Sequence, residues 1–221
     1  MARIARVVVP NVAHHVTQRG NRRQQVFFYD DDYRKYKLLL SEYCSQNSVE
    51  VMAYCLMPNH VHLILVPTTL DGLRSAVGET HRRYTRYINF REGWRGYLWQ
   101  GRFASFPMDE HHLWAAIRYV ELNPVRARLC KRPQDWSWSS AMAHITSKFD
   151  GLVDGANLAK QQSDWFDFLS THMEEDTYDQ IRSFERTGRP MGSKNFIRSV
   201  EQRVGRSLQK KKPGRKPKPN I

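Results

Sequence analysis

The chain has 221 residues, with 35 Lys and Arg against 22 Asp and Glu and a formal net charge of +13. Hydrophobic residues make up 40%, with six Trp, ten Tyr and ten Phe, enough for a real core and too many for a disordered chain. The positive balance points to a polyanionic partner, nucleic acid ahead of an anionic membrane surface. No apolar run reaches the ~18 residues of a membrane span, and no long apolar segment follows the basic N-terminus, so neither anchor nor signal peptide is expected. Cys44, Cys55 and Cys130 lack C-x-x-C spacing and read as reduced thiols of a cytosolic protein. Residues 1–149 carry a net +9, 150–181 a net −7 and 182–221 a net +11. A basic domain over 1–149, an acidic helical connector over 150–185 and a basic tail over 186–221 are expected.

Residues 4–18 are rich in Val and His, and Val12, His14 and Val16 alternate with Ala13, His15 and Thr17, which predicts a first strand. A basic turn follows at Gln18–Arg23. Asp30, Asp31 and Asp32 suit the positive end of a helix dipole. Tyr33, Tyr36, Leu39, Leu40 and Tyr43 then recur at helical spacing, predicting a helix over 31–46. Val49–Leu56 and His60–Val66 read as two strands joined through Met57-Pro58-Asn59. A second helix is expected over 71–89, with Leu73, Val77, Tyr84 and Ile88 inward and His81, Arg82, Arg83 and Arg86 on its other face. Leu98–Met108 reads as a fourth strand. A third helix runs from Asp109 to about Leu122 and ends at Asn123-Pro124, because the residue before proline is biased out of the helical region. The order strand–helix–strand–strand–helix–strand predicts an α+β, ferredoxin-like split βαβ fold with a central antiparallel sheet. One sheet face would carry the helices and the other would be free to bind.

The chemistry centres on Met57-Pro-Asn-His-Val-His-Leu. Alternate strand residues share a face, so His60 and His62 project side by side. Two adjacent imidazoles are either half of a divalent metal site or a hydrogen-bonding pair. In the third helix Tyr119 and Asn123 lie one turn apart on one face. Tyr119 is either a nucleophile or a core aromatic. Asn123 is either a third ligand through its carbonyl oxygen or a C-terminal cap. A set of two nitrogens and one oxygen suits Mg²⁺ or Mn²⁺ shared with a substrate phosphate better than a closed zinc site. His111 and His112 are rival ligands for which capping or surface roles are preferred, and His14 and His15 stay ambiguous.

Three segments in order, Met57-Pro-Asn-His-Val-His-Leu, Gly96-Tyr-Leu-Trp-Gln-Gly-Arg-Phe and Arg118-Tyr-Val-Glu-Leu-Asn-Pro-Val-Arg-Ala, resemble the HUH single-tyrosine (Y1) transposases of the IS200/IS605 type. The Tyr-x-x-x-Asn-Pro form, Trp136-Ser-Trp-Ser-Ser, Thr187-Gly-Arg-Pro-Met-Gly-Ser and Lys212-Pro-Gly-Arg-Lys-Pro resemble the REP-associated branch of that family. The likeness spans about residues 5–145, and 185–218 for the tail. It implies an HUH endonuclease fold and a metal-dependent nuclease and strand transferase acting on single-stranded DNA. His60 and His62 would be the metal ligands. Tyr119 would form a 5′-phosphotyrosine link and free a 3′-OH. Asn123 stands where IS200-type members carry glutamine. The implied substrate is a repetitive extragenic palindrome, a DNA hairpin with an adjoining single strand. The implied setting is the bacterial cytoplasm at the nucleoid, as a monomer or a homodimer that exchanges tyrosine helices.

Phosphate contacts are expected from Arg82, Arg83 and Arg86, a contribution to affinity but not to sequence choice. Trp94, Trp99, Phe103 and Arg102 mix aromatics with cations, either as a single-strand platform or as core. Arg19, Arg22 and Arg23 either touch the hairpin or form a solvated turn. Arg189 and Arg215 sit in Gly-Arg-Pro and Gly-Arg-Lys-Pro segments of the kind that insert arginine into a minor groove. Phe196, Ile197, Val200, Val204 and Leu208 have the spacing of a short docked helix. The first rival reading is a hairpin-binding regulator that no longer cleaves, and the second a metal hydrolase that uses an activated water.

Overall fold

The computed structural model describes residues 4–162, 164–171 and 173–209. Four strands form one antiparallel sheet: β1 (His14–Arg19), β2 (Val49–Met57), β3 (His60–Pro67) and β4 (Ala104–Pro107), in the order β2-β3-β1-β4. With α1 (Asp30–Gln46), α2 (Gly72–Glu92) and α3 (Glu110–Arg126) between and after them, this is the split βαβ arrangement expected from the sequence. Five shorter helices follow: α4 (Ala141–Thr146), α5 (Gly155–Ala159), α6 (Trp165–Ser170), α7 (Glu175–Thr187) and α8 (Lys194–Val204). None of the helices among the described residues is long and apolar enough to cross a membrane.

Strand alternation sorts β3 between two cores. Val61, Leu63 and Leu65 pack with Tyr36, Leu40, Val77 and Tyr84 of α1 and α2. Ile64, on the opposite face, packs with Phe106, Ile117 and Val120, and with Trp165, Phe168, Ile181 and Met191 from beyond position 150. Both sheet faces are therefore covered, which corrects the expectation of one free face. The chain after α3 carries enough apolar side chains to build a second layer, and that layer leaves a recess at one end of the sheet.

Three boundaries differ from the expectation. The first strand begins at His14, not Ile4. Val7 and Val9 turn instead toward Val200 and Leu208 near α8, and Asn11 takes a positive φ of 58°. The fourth strand is confined to residues 104–107, because Gly96 and Gly101, with φ of 91° and 66°, bend the preceding segment, which meets β1's end only at the isolated pair Gly20–Trp99. Pro124 lies inside α3, which continues to Arg126. A proline one turn from a helix end removes a single N–H donor, and the Ala127 and Leu129 amides still close the last turn on the Asn123 and Pro124 carbonyls.

The C-terminal segment is docked on the body. The Met191 amide donates to the Pro107 carbonyl, Asp109 accepts from the Ser193 amide, and the Ile4 amide donates to the Thr187 carbonyl. The Arg206 guanidinium donates to the carbonyls of Ala5 and Arg6.

Candidate active site

The register of β1 against β3 pairs Thr17 with His62 and Arg19 with His60, and places His15 opposite Ile64. Directly paired residues share a face, so His15, Thr17, Arg19, His60 and His62 all lie on the α3 side of the sheet. The His60 and His62 rings are 4.9 Å apart, edge to face. His60 shares a 2.5 Å contact between Nδ1 and the Asn59 Oδ1. His62 Nδ1 is hydrogen-bonded to His15 Nε2 at 3.0 Å. Burial drives the pKa of His15 down to about 3. Burial, helped by the Arg19 charge, does the same for His60, also to about 3. His62 is held well below the usual imidazole range by burial first, then by its neighbours His60, His15 and Arg19. The three rings are therefore neutral at pH 7, with lone pairs available for a cation.

Tyr119 comes from α3 and is 5% exposed. Its ring lies 5.5 Å from that of His62 and 5.8 Å from that of His15. Burial, reinforced by the Glu185 carboxylate, pushes its phenol above the ordinary range, against the pull of Arg182 and Arg126. α3 is fixed from behind by the fully buried Glu121. Its Oε1 accepts from the Ser140 hydroxyl at 2.5 Å and from His144 Nδ1 at 2.6 Å, and its Oε2 from Trp165 Nε1 at 2.9 Å.

Glu185, in the last turn of α7, completes the cluster. Its Oε1 lies 3.5 Å from His62 Nδ1 and 3.8 Å from His15 Nδ1. Burial raises its carboxyl to about 7, against the pull of Arg19, Arg182 and Arg186. One donor atom from each of His15, His62 and Glu185 falls within 4.8 Å of the others, a grouping able to hold a metal ion. Among the described residues His15 Nδ1 and Glu185 Oε1 are buried without a hydrogen-bond partner, which fits a site that a cation can enter.

The recess in front of these groups has a volume of about 320 Å³ and is lined by His60, His62, Glu185, Arg19, Arg102 and Arg186, among others. An overlapping recess of about 730 Å³ adds Arg22, Arg23 and Arg182. The walls are strongly cationic, so an anionic ligand is favoured there.

The structure thus brings His60, His62, Arg19 and Arg102 around one cationic recess and Arg22 and Arg23 around the one that overlaps it, while Tyr119 is buried beside His62 and His15 and lines neither. Asn123 is one turn beyond Tyr119 and half-buried, and its amide nitrogen donates to the Tyr119 carbonyl at 3.0 Å. Arg83 and Arg86 line a different groove, of about 650 Å³, with Tyr43, Tyr87 and Phe90 on the α1–α2 side. Arg82 pairs with Glu79 on the exposed face of α2. Trp99 and Phe103 are core residues, at 6% and 5% exposure. Arg189 is half-buried and donates to the Leu208 carbonyl. Arg215 and the tail from Lys210 lie outside the described residues. His112 contacts Asp109 at the start of α3, in keeping with a capping role. Sequence reasoning left His15 undecided, though alternation within β1 and pairing to β3 put it on the His62 face. It missed Glu185, Arg182 and Arg186 as site residues. The one signal for Glu185 was its isolation, as one of only two acidic residues after position 181.

Comparison with known proteins agrees with this geometry. The family model described as "Transposase IS200 like" matches residues 8–123. A curated Haemophilus influenzae protein named as a REP-associated tyrosine transposase is 25% identical over 124 residues, 51% of this chain and 70% of that protein. The ISDra2 transposase TnpA of Deinococcus radiodurans is 30% identical over 91 residues, 38% of this chain and 65% of that one. A solved structure of a REP-associated tyrosine transposase bound to a REP hairpin superposes with a TM-score of 0.57 at 21% identity, covering 69% of this chain and 88% of the other, a likeness of fold. The matched span takes in β1 through Asn123, and with it both histidines of β3 and the tyrosine of α3: this chain belongs to the IS200-like transposase family.

Proposed function

We propose that the protein is a metal-dependent single-strand DNA endonuclease and strand transferase that acts at REP-type hairpins through a 5′-phosphotyrosine intermediate. The observation that carries this reading is the meeting, within one chain, of the buried Tyr119 with His62, which itself lines a cationic recess. The REP-associated names of a relative and of a structural neighbour support the choice of substrate.

His60 and His62 would hold Mg²⁺ or Mn²⁺. Asn123 has its amide nitrogen committed to a backbone carbonyl and offers Oδ1 as a third donor. Neutral imidazoles and buried polar atoms without partners fit a cation here. When bound, the ion supplies polarisation of a phosphoryl oxygen and offsets the charge of the displacement. The residues of the chain do the rest. Arg19, Arg102 and Arg186 hold the strand's phosphates at the recess. Tyr119 Oη attacks phosphorus, the P–O3′ bond breaks, the 5′ phosphate stays on tyrosine and the 3′-OH departs. Arg182 faces the phenol as a counter-charge to the phenolate, and the phenolic proton passes to solvent while the departing O3′ takes one up. Because the phosphotyrosine keeps the energy of the phosphodiester, a 3′-OH from another strand reverses the step without ATP.

The test is a labelled hairpin with its adjoining single strand, incubated with protein and Mn²⁺. A covalent adduct that is lost in Tyr119→Phe supports the enzyme. Tight binding with no adduct supports a regulator, and cleavage that survives Tyr119→Phe supports a water-using hydrolase.

A further inference from the structure

We propose that Glu185, carried by α7, is a ligand of the divalent cation that His62 would hold, so that the packing of α7 helps to build the metal site. The inference rests on the metal-site reading above and extends it to a part of the chain beyond the family's matched span.

Three observations carry it. First, Glu185 Oε1 lies 3.5 Å from His62 Nδ1, and while the carboxyl as a whole is hydrogen-bonded to Tyr119, its Oε1 and the neighbouring His15 Nδ1 are buried with no hydrogen-bond partner among the described residues. A carboxylate oxygen buried against neutral imidazoles is costly unless something positive joins it. Among the described residues no guanidinium closes an ion pair with it. Arg182 is engaged by Asp179 at 3.0 Å, and Arg186 lines the recess. Second, the carboxylate is held there by packing. Ile181 is fully buried in the second core, the Phe184 ring lies tilted 5.9 Å from that of Phe106, and Tyr178 lies 5.8 Å from Tyr119 with the Arg126 guanidinium 3.3 Å above its ring. Third, a carboxylate oxygen is the hard, anionic donor that a two-imidazole site lacks for Mg²⁺ or Mn²⁺.

The experiment reads metal binding, not cleavage. The full chain is titrated with Mn²⁺, and the free ion is counted by its six-line electron paramagnetic resonance signal. The parent protein should bind one ion and His62→Ala should lose it. Glu185→Gln, nearly the same shape without the charge, should raise the dissociation constant at least tenfold. Glu185→Asp keeps the charge but withdraws it by a methylene, and should weaken binding by a similar factor, which covers any disturbance of packing by the amide. Melting supplies a second readout. Without metal, Glu185→Gln should melt no lower than the parent, and its Mn²⁺-induced rise in Tm should largely vanish. Affinity within twofold of the parent in both Glu185 variants, or tighter, while His62→Ala abolishes binding, overturns this inference and leaves the metal site standing. A parent protein that binds no Mn²⁺ overturns both.

Discussion

The Tyr119 phenol ring and the His62 imidazole of one and the same chain stand 5.5 Å apart, nearly perpendicular. A single copy therefore holds both groups, and in the proposed reaction the tyrosine is expected to act in cis. Mixing Tyr119→Phe protein with His62→Ala protein should not restore adduct formation on a labelled hairpin. Recovery of activity in the mixture would mean that α3 is exchanged between copies.

Arg186 borders both cationic recesses, whereas Arg82 is paired to Glu79 on the exposed face of α2. Arg186→Ala should weaken single-strand binding and lower the slope of log K against log salt by about 0.7, the value for one lost phosphate contact. Arg82→Ala should change neither by a comparable amount. Fluorescence anisotropy across a salt series measures both.

Glu121 is a buried carboxylate whose two oxygens hold three donors from α4, its preceding residue and α6. Glu121→Ala leaves His144, Ser140 and Trp165 without that acceptor. A loss of about 3–5 kcal/mol is expected in urea unfolding, the range for breaking a buried pair from one side. The same change should lower turnover, because α3 carries Tyr119.

Gly20 has an ordinary φ of −58°, so its value is space, not conformational freedom. A Cβ there would lie 2.3 Å from the Gln24 carbonyl oxygen and 2.8 Å from Val26 Cγ1. The Gly20 amide also donates to the Asn59 carbonyl beside His60. Gly20→Ala should cost about 1–3 kcal/mol and displace Arg19, Arg22 and Arg23, seen as a lower Tm together with weaker DNA binding.

His14 is fully buried, accepts from the Val9 amide through Nε2 at 3.1 Å and bonds the Val12 carbonyl through Nδ1 at 2.7 Å. That pattern needs the neutral ring, and burial lowers its pKa from 6.5 to about 4 despite the Val12 bond. Below pH 6.5 the unfolded chain takes up a proton that the native ring refuses, so stability falls as pH drops from 6.5 toward 4. Each such histidine contributes a slope of about 1.4 kcal/mol per pH unit in that window. His81, bonded to the Tyr36 hydroxyl and lowered to about 3 by burial, extends the fall to more acid pH. In His14→Gln the slope between pH 6.5 and 4 should flatten by one such increment. Equal slopes in variant and parent would mean that His14 titrates alike in both states.

Much of this was legible in the chain because it depends on short periods. Alternation puts His60 and His62 on one face, helical spacing gives α1 nearly to the residue and α2 to within three residues of its end, and the turn from Tyr119 to Asn123 is readable as one helix face. The misses have long-range causes. Pro124 was read as a stop because the local rule for residues before proline is strong, yet the packing of Tyr119, Val120 and Glu121 carries α3 two residues past it. The strand over 98–108 was overextended because Trp99 and Phe103 look like strand residues, while the bends at Gly96 and Gly101 turn them into the first core. Glu185 is 123 residues from His62 in sequence, and only tertiary packing of α7 on β4 and α3 brings it there.

The second core draws Trp165, Phe168, Tyr178, Ile181 and Met191 from the same stretch of chain whose charge is most acidic and whose end turns basic. A protein cut after α4 would leave Ile64, Phe106, Ile117 and Val120 with water where those side chains had been. Such a fragment should precipitate or need detergent, and its recovery as a well-behaved minimal nuclease is not expected. Attempts to trim this transposase to a smaller tool would do better to shorten exposed turns than to remove its last third.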